Sequence, residues 1–493
     1  MFDTLIVGGR VIDGTGGPAR RMDVGVIGDQ ITAVGDLRLE MSRKRVDATG
    51  LVVCPGFIDM HAHSDLVPFT DPVHEAKVRQ GVTLEVIGQD GLSYAPADDV
   101  TLEILKLQLR GWNTTPDDLD WNWRSVSDYL DRIDGTNTST NYAYLVPHGT
   151  VRLLVMGPEN RIADDAEIEE MRSQVAQGLI DGAVGLSTGL TYTPAVYADL
   201  RELDALAAVT AQYGGYFTPH IRSYGRDALE AYEEAIGIAK RTGVAVHFAH
   251  AALSFPINEG RAPELLELID SAAADGADIS MDSYPYTAGA TYLYALLPSW
   301  CLSGGPADTL GLLTDRSQRN RLRRAMEVTG SDGFQGVAAD WNTVVVAGVA
   351  NTKHEVFVGR TITEIAALLG LQPFDAFMEV LIRDELGSSC VLHIGIEANL
   401  QMIMLHPNQM VGSDGILVGS RPHPRGWGTF PRVLGRYARD LGVLTVPQAI
   451  HKMTGLPAAR LGLTNRGLVR SGMVADLVCF DPDRISDTAT FDD

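Results

Sequence analysis

Through the middle of the chain, short apolar runs alternate with stretches whose apolar residues recur at helical spacing. The runs lie at 51–61, 82–88 (VTLEVIG), 141–147 (NYAYLVP), 183–188 (AVGLST), 216–221 (YFTPHI), 244–250 (VAVHFAH), 277–284 (ADISMDSY) and 410–413 (MVGS). Between them, segments such as 164–180, 226–242 and 262–275 predict helices. Eight strands separated by helices is the count of a (β/α)8 barrel. The interval 287–408 is long for one βα unit. It holds at least two helical segments and a further apolar strand, WNTVVVAGVA, which predicts an insertion near the barrel mouth.

The two ends of the chain carry a different pattern. Residues 3–50 (DTLIVGGRVID, DVGVIGDQITAVGDL) are short strands broken by G-G and G-D turns, and similar material returns in GLVRSGMVADLVCFDP at 467–482. The predicted class is therefore α/β: a TIM-like barrel over 51–463, with a small β-sandwich built from 1–50 and 464–493. The chain stops at FDD with no closing strand evident, so this sandwich is expected to be incomplete here.

Composition narrows the function classes. With 493 residues, 45% hydrophobic and 21% charged, the chain is that of a soluble globular protein with one large barrel or several domains. No run of eighteen apolar residues predicts a transmembrane helix. The opening MFDTLIVGGRVIDGTG lacks the basic segment of a signal peptide. A net charge of −23 repels nucleic acid and anionic membranes, so the expected partner is a small molecule, with a homo-oligomer left open. Cys54, Cys301, Cys390 and Cys479 are far apart and form no C-x-x-C pair, which fits a reducing cytoplasm.

The strand ends hold the chemistry. The first run finishes in His61 and His63, the second delivers Asp90 (GQDG), and the fifth His220. The sixth gives His250 and the last Asp414 (GSDG). Each alone reads equally well as a core histidine or an Asp-Gly turn. Together they place four imidazoles and two carboxylates at the strand ends that a barrel gathers at one mouth. Such a donor set suits Zn²⁺ or a similar divalent ion, and ionised carboxylates there would be costly without a cation. His247, three before His250, is expected to face the helices. It is read as structural, as are His74, His354, His393, His406 and His451.

PGFIDMHAHSD, GAVGLSTGLTYTP, TPHIRSYG, SYPYTAG and above all GSDGILVGSRPHPRGWGTFPRVLGRY resemble the amidohydrolase superfamily, within it the N-acyl-D-amino-acid deacylases. The resemblance covers nearly the whole chain. It implies metal-dependent hydrolysis of the amide of an N-acyl-D-amino acid. His220, His250 and Asp90 would hold the principal ion; His61, His63 and Asp414 would complete a second position, with one or two ions left open. It further implies Asp414 as general base and Arg425 as the grip on the substrate carboxylate. Tyr192, Tyr284, His148 and His423 are candidate substrate contacts at the rim. Two departures stand out. Asp90 occupies the place of the family's cysteine ligand, which should admit Mn²⁺ or Co²⁺ beside Zn²⁺. Ala252 occupies the place of a substrate-binding lysine, which puts acidic substrates in doubt. Cyclic-amide hydrolases of the superfamily are the alternative, but they carry a metal-bridging lysine on the fourth strand, and GAVGLSTGL has none. A non-catalytic scaffold is the remaining reading, opposed by the retention of all six donor positions.

Overall fold

In the computed structural model, which describes residues 1–116 and 118–492, the eight runs form eight parallel strands hydrogen-bonded in chain order. They are β1 (Phe57–Asp59), β2 (Val82–Ile87), β3 (Asn141–Pro147), β4 (Gly185–Gly189), β5 (Tyr216–His220), β6 (Ala245–Phe248), β7 (Ile279–Ser283) and β8 (Gln409–Val411). The ring closes between β8 and β1. The Met60 amide donates to Val411 O (3.2 Å), the Asp414 amide donates to His61 O (2.7 Å), and Ala62 bridges Gly415. The protein is a (β/α)8 barrel carrying an additional small β-rich unit.

The sequence explains both faces of this barrel. Phe217, Val246, Phe248 and Met281 pack outward with helix residues such as Leu206, Tyr232 and Leu265. Each such buried side chain is worth about 1.5–3 kcal/mol. Ile58, Met60, Leu84, Val86, Leu145 and Met410 form a separate cluster that Ala458 joins from the helix Gly455–Arg460. Apolar side chains thus pack both faces of the strands, and the six donors singled out by the sequence lie at or just past the C-terminal ends of the strands.

One expected strand is two. The run 51–61 breaks at Gly56, where a Cβ would lie 2.3 Å from Thr83 Oγ1. Val52–Pro55 pairs with Arg10–Val11 and with Leu477–Phe480, while Phe57–Asp59 enters the barrel. The chain ends thus meet in one four-stranded sheet. A second four-stranded sheet is made of Phe2–Val7, Asp23–Ile27, Gln30–Gly35 and Ser42–Asp47. Ile6, Val11, Val24, Ile31, Val53 and Val469 share a core there.

Between β7 and β8 the chain builds a three-stranded antiparallel sheet from Gly289–Tyr292, Val344–Gly348 and Ser389–Leu392. Helices including Pro306–Thr314, Ile362–Leu369 and Pro373–Arg383 accompany it. Among the described residues, no single helix is long and apolar enough to cross a membrane.

Asp23 ties the small unit together. Its Oδ1 accepts from the Gly8 amide (2.9 Å) and its Oδ2 from the Leu37 amide (2.8 Å), and the residue is buried. Asp23→Ala leaves both donors unpaired and should cost about 2 kcal/mol locally. Amide exchange at Gly8 and Leu37 should quicken, and unchanged protection would assign the hold on these loops elsewhere.

Candidate metal centre and substrate cavity

All six predicted donors converge at the C-terminal mouth of the barrel. His61 and His63 follow β1 on either side of Ala62, Asp90 follows β2, and His220 ends β5. His250 lies two residues past β6 and Asp414 three past β8. Asp90 is the hub. Its Oδ1 lies 3.6 Å from His61 Nε2, and its Oδ2 lies 3.6 Å from His63 Nε2, 3.4 Å from His220 Nδ1 and 3.5 Å from His250 Nε2. Asp414 Oδ1 is 3.2 Å from His63 Nε2 and 3.8 Å from His61 Nε2.

Three of these residues adopt left-handed backbone conformations at the ends of their strands: Asp90 (φ 55°), His250 (φ 32°) and Asp414 (φ 49°). Residues other than glycine reach this region only when their surroundings impose it. For Asp90 the surroundings are explicit. The Gly88 amide donates to Asp65 Oδ1 (3.0 Å), the Gly91 amide donates to Ser187 Oγ (3.0 Å), and Ser187 Oγ donates to Gly88 O. Gly189 permits the close approach of β4, because a Cβ there would stand 2.1 Å from Asp90 O.

The donors are grouped for a cation. His61, His63, Asp90 and Asp414 form one set and Asp90, His220 and His250 another. In each set the donor atoms lie within 4.8 Å of one another. Two ligands each about 2.1 Å from one ion stand about 3 to 4 Å apart, the separation seen here. Both ring nitrogens of His61 and His63, and Asp90 Oδ1, are buried without a hydrogen-bond partner. Buried polar atoms are seldom left so, and the donor chemistry fits a divalent ion.

Electrostatics agree. Burial pushes the Asp90 carboxyl up, but the charges of His250, His61 and His220 outweigh it and hold the group well below the usual carboxylate range. Burial pushes Asp414 up too, and Arg425 and His61 reverse it. Burial lowers the His61 imidazolium, yet Asp90, Asp282 and Asp414 raise it to about 9. The carboxylates demand positive charge at this point, and protons and metal ions compete to supply it.

Beside the donors lies a cavity of about 90 Å³ lined by His63, Trp112, Tyr192, Tyr284, Gln335 and Arg425, among others. Arg425 is fully buried, with Nη1 2.8 Å from Asp414 Oδ2 and its guanidinium 4.5 Å over the Tyr284 ring. Nη2 donates to Ala290 O (3.2 Å), whereas Nε and Nη1 make no aligned hydrogen bond. Tyr192 packs 4.8 Å from the His220 ring and its hydroxyl meets Thr291 Oγ1 at 3.1 Å. Arg425, Tyr192 and Tyr284 therefore line the cavity beside the donors.

Two other candidates do not. His148 is the first residue of the helix His148–Met156, and both its nitrogens are engaged, with Thr188 Oγ1 (2.7 Å) and Glu202 Oε1 (2.7 Å). His423 is buried behind Arg425. Its Nδ1 accepts from the Arg425 amide (3.0 Å) and its Nε2 donates to Ala288 O (2.9 Å). It props the arginine without lining the cavity. His247 also departs from expectation. It meets Ser280 Oγ (2.7 Å) and Asp282 Oδ2 (3.1 Å) beneath the centre, while Phe248 packs on Tyr232 of the helix layer. The alternation rule fails because β6 ends at Phe248 and the chain turns before His250.

Asp282 is a buried carboxylate at the centre that strand-end reasoning misses, although it stands in β7 near the mouth as the others stand near theirs. It is fully buried, accepts from the His250 amide (3.0 Å), and lies 3.6 Å from His61 Nδ1. Its negative charge thus faces the His61 ring from the side opposite Asp90. Trp112, whose ring is 4.5 Å from that of His63, comes from a loop with no pattern to announce it.

Comparison with known proteins places this architecture. A model described as the amidohydrolase family matches residues 44–493. The chain belongs to the amidohydrolase family. A D-aminoacylase from Alcaligenes xylosoxydans xylosoxydans is 36% identical to this amidohydrolase over 492 residues, spanning 100% of this chain and 90% of the relative. An N-acyl-D-glutamate deacylase of the same organism is 36% identical over 493 residues, with the same coverage. Among solved structures, an N-acyl-D-glutamate deacylase from Bordetella bronchiseptica, complexed with zinc and a phosphonate mimic of the tetrahedral intermediate, superposes with TM-score 0.83 at 33% identity. The match covers 100% of this chain and 92% of that one. A D-aminoacylase crystal structure gives 0.82 at 35% identity, with the same coverage. An L-hydantoinase from Arthrobacter aurescens, at 14% identity and TM-score 0.52 over 97% of this chain and 86% of that one, shares the fold alone.

Substituting cysteine for the hub tests the donor set. Asp90→Cys should shift the purified protein's metal content toward zinc relative to manganese and cobalt, since thiolate is the softer ligand. An identical metal profile by elemental analysis would remove Asp90 from the ligand set.

Proposed function

We propose that this amidohydrolase cleaves the amide bond of N-acyl-D-amino acids, releasing a carboxylic acid and the free amino acid. The observation that carries the reading is the position of Asp414, between His63 Nε2 at 3.2 Å and Arg425 Nη1 at 2.8 Å, at the edge of the cavity. One carboxylate thus touches both the donor cluster and the only cationic side chain lining the cavity among the described residues.

His220, His250 and Asp90 would hold one divalent ion, zinc foremost, and His61, His63 and Asp414 with Asp90 a second position. A bound ion supplies Lewis acidity, making water acidic enough to attack at neutral pH and polarising an acyl oxygen. Arg425 grips the α-carboxylate through guanidinium donors its two present partners leave over and so aligns the scissile bond one carbon away. Asp414, kept as a carboxylate, takes the attacking water's proton and passes it to the departing nitrogen. Tyr192 and Tyr284 frame the acyl and carboxylate ends, and burial keeps both phenols protonated as donors.

The cavity also selects the amino-acid side chain. A chamber of about 60 Å³ adjoins it, sharing Ala252, Ser254, Tyr284 and Ile394 and continuing to Ile396 and Ile403. Among the described residues, no Lys or Arg lines this chamber. A substrate carrying a second carboxylate would bury it without a partner, at a cost of several kcal/mol. The reading therefore favours neutral, apolar side chains over glutamate or aspartate. It also favours linear over cyclic amides, because β4 (GLSTG) carries no lysine to bridge two ions.

Two variants check the roles. Asp414→Asn should fold normally and lose at least 10³-fold in kcat, the scale of losing both a general base and its anionic charge; retained turnover would remove it as base. Arg425→Ala should raise KM at least tenfold for N-acetyl-D-leucine with a smaller change in kcat. A panel of N-acetyl-D- and L-amino acids, including D-glutamate, reads out the class, and turnover of none of them would sink the assignment.

A further inference from the structure

Outside the cavity, on the far side of β1 and β2, lies a buried ionic cluster that the mechanism does not use. Lys77, in the short helix Glu75–Val78, has no solvent exposure. Its ammonium pairs with Asp59 Oδ2, lies 3.3 Å from Glu85 Oε2, and donates to Ser413 Oγ at 2.8 Å. Glu85 is held further by Ser64 Oγ (2.8 Å), Thr140 Oγ1 (3.1 Å) and His74 Nε2 (2.9 Å).

The partners of this cluster are the backbones that carry the donors. Asp59 Oδ1 accepts from the His61 amide (3.2 Å) and from the Ser413 amide (2.7 Å). Ser413 Oγ accepts from Lys77 and from the Gly415 amide (3.1 Å), and donates to His61 O (3.3 Å). One carboxylate and one hydroxyl, both fixed by the same ammonium, thus tie the segment bearing His61 and His63 to the turn bearing Asp414. None of Asp59, Lys77, Glu85 or Ser413 lines the cavity.

We propose that Lys77 is a positioning residue of the metal centre: acting through Asp59 and Ser413, it sets the separation between the paired histidines of β1 and Asp414. Buried ion pairs contribute little net stability compared with apolar packing, so stability alone does not account for one at this place. A charged cluster with directional partners specifies geometry that apolar contacts leave loose, and partners behind metal ligands commonly control affinity and rate by 10–100-fold.

The inference rests on the metal-dependent reading above, and the test separates the two. Lys77→Met alone strands two buried carboxylates and risks unfolding. The informative variants are therefore Ser413→Ala and the charge-neutral triple variant Lys77→Met, Asp59→Asn, Glu85→Gln. Zinc-loaded protein is mixed with a chelator and zinc release is timed; kcat and KM are measured for N-acetyl-D-leucine, and thermal unfolding for the metal-free form. Zinc release should quicken about 10–100-fold and kcat should fall on the same scale. KM and the metal-free unfolding midpoint should hold near wild type. Folded variants with wild-type zinc release and kcat would overturn the proposal, as would a lowered unfolding midpoint with unchanged release. Failure of the wild-type protein to take up zinc would instead defeat the metal-dependent reading itself.

Discussion

A single buried anion organises this molecule. The Asp90 carboxylate faces four imidazoles at 3.4–3.6 Å, and one of its oxygens has no hydrogen bond. An unpaired carboxylate inside a protein costs far more than a fold of marginal stability can absorb. The arrangement is tolerable only if positive charge arrives, as protons on histidine or as a cation. The neighbouring features follow from the same need. Asp90 takes a left-handed backbone, Asp65 and Ser187 clamp its turn, and Gly189 yields space behind it.

Closing the barrel and assembling the site are the same event. The contacts that join β8 to β1 run through His61 and Asp414 themselves and through Ala62 and Gly415 beside them. A barrel that failed to close would lack half of its donors. The left-handed backbones at Asp90, His250 and Asp414 are strained local choices held by their surroundings. Stability is spent at the mouth, and the packed apolar layers on both sides of the strands supply it.

The sequence discloses the parts of this design that obey simple periodicities. Eight apolar runs between amphipathic helices predict the barrel, and polar residues at their ends predict the six donors, which do come together. Errors arise where a strand ends sooner than its apolar run suggests. Counting by twos from His250 sends His247 to the helices, but β6 stops at Phe248 and the chain turns. His148 reads as a rim residue because it follows β3 directly; it is already the first residue of a helix, directed at Glu202. His423 stands next to the right residue and supports it from behind. Trp112 and Gln335 reach the cavity from irregular segments, where no period exists to be read. Asp282 and Lys77 are silent for another reason: Asp282 is a single carboxylate in an apolar strand and Lys77 stands among Glu75 and Arg79 in a run that reads as solvated surface, so neither signals burial until its partners are known.

The wall of the cavity draws on two parts of the chain. The donors all belong to the barrel, but the segment between β7 and β8 contributes Ala290, Thr291, Leu296, Gln335, Leu392 and Ile394 to the cavity wall. These side chains are neutral, and Ala290 also supplies the carbonyl that accepts from Arg425 Nη2. The inserted segment therefore meets the barrel at the residue assigned to the substrate carboxylate, the one point where orientation and recognition must agree. The remaining wall comes from loops after the barrel strands, Trp112, Tyr192, Ala252 and Ser254 among them, so the donors and much of the cavity wall are set by the same strand ends.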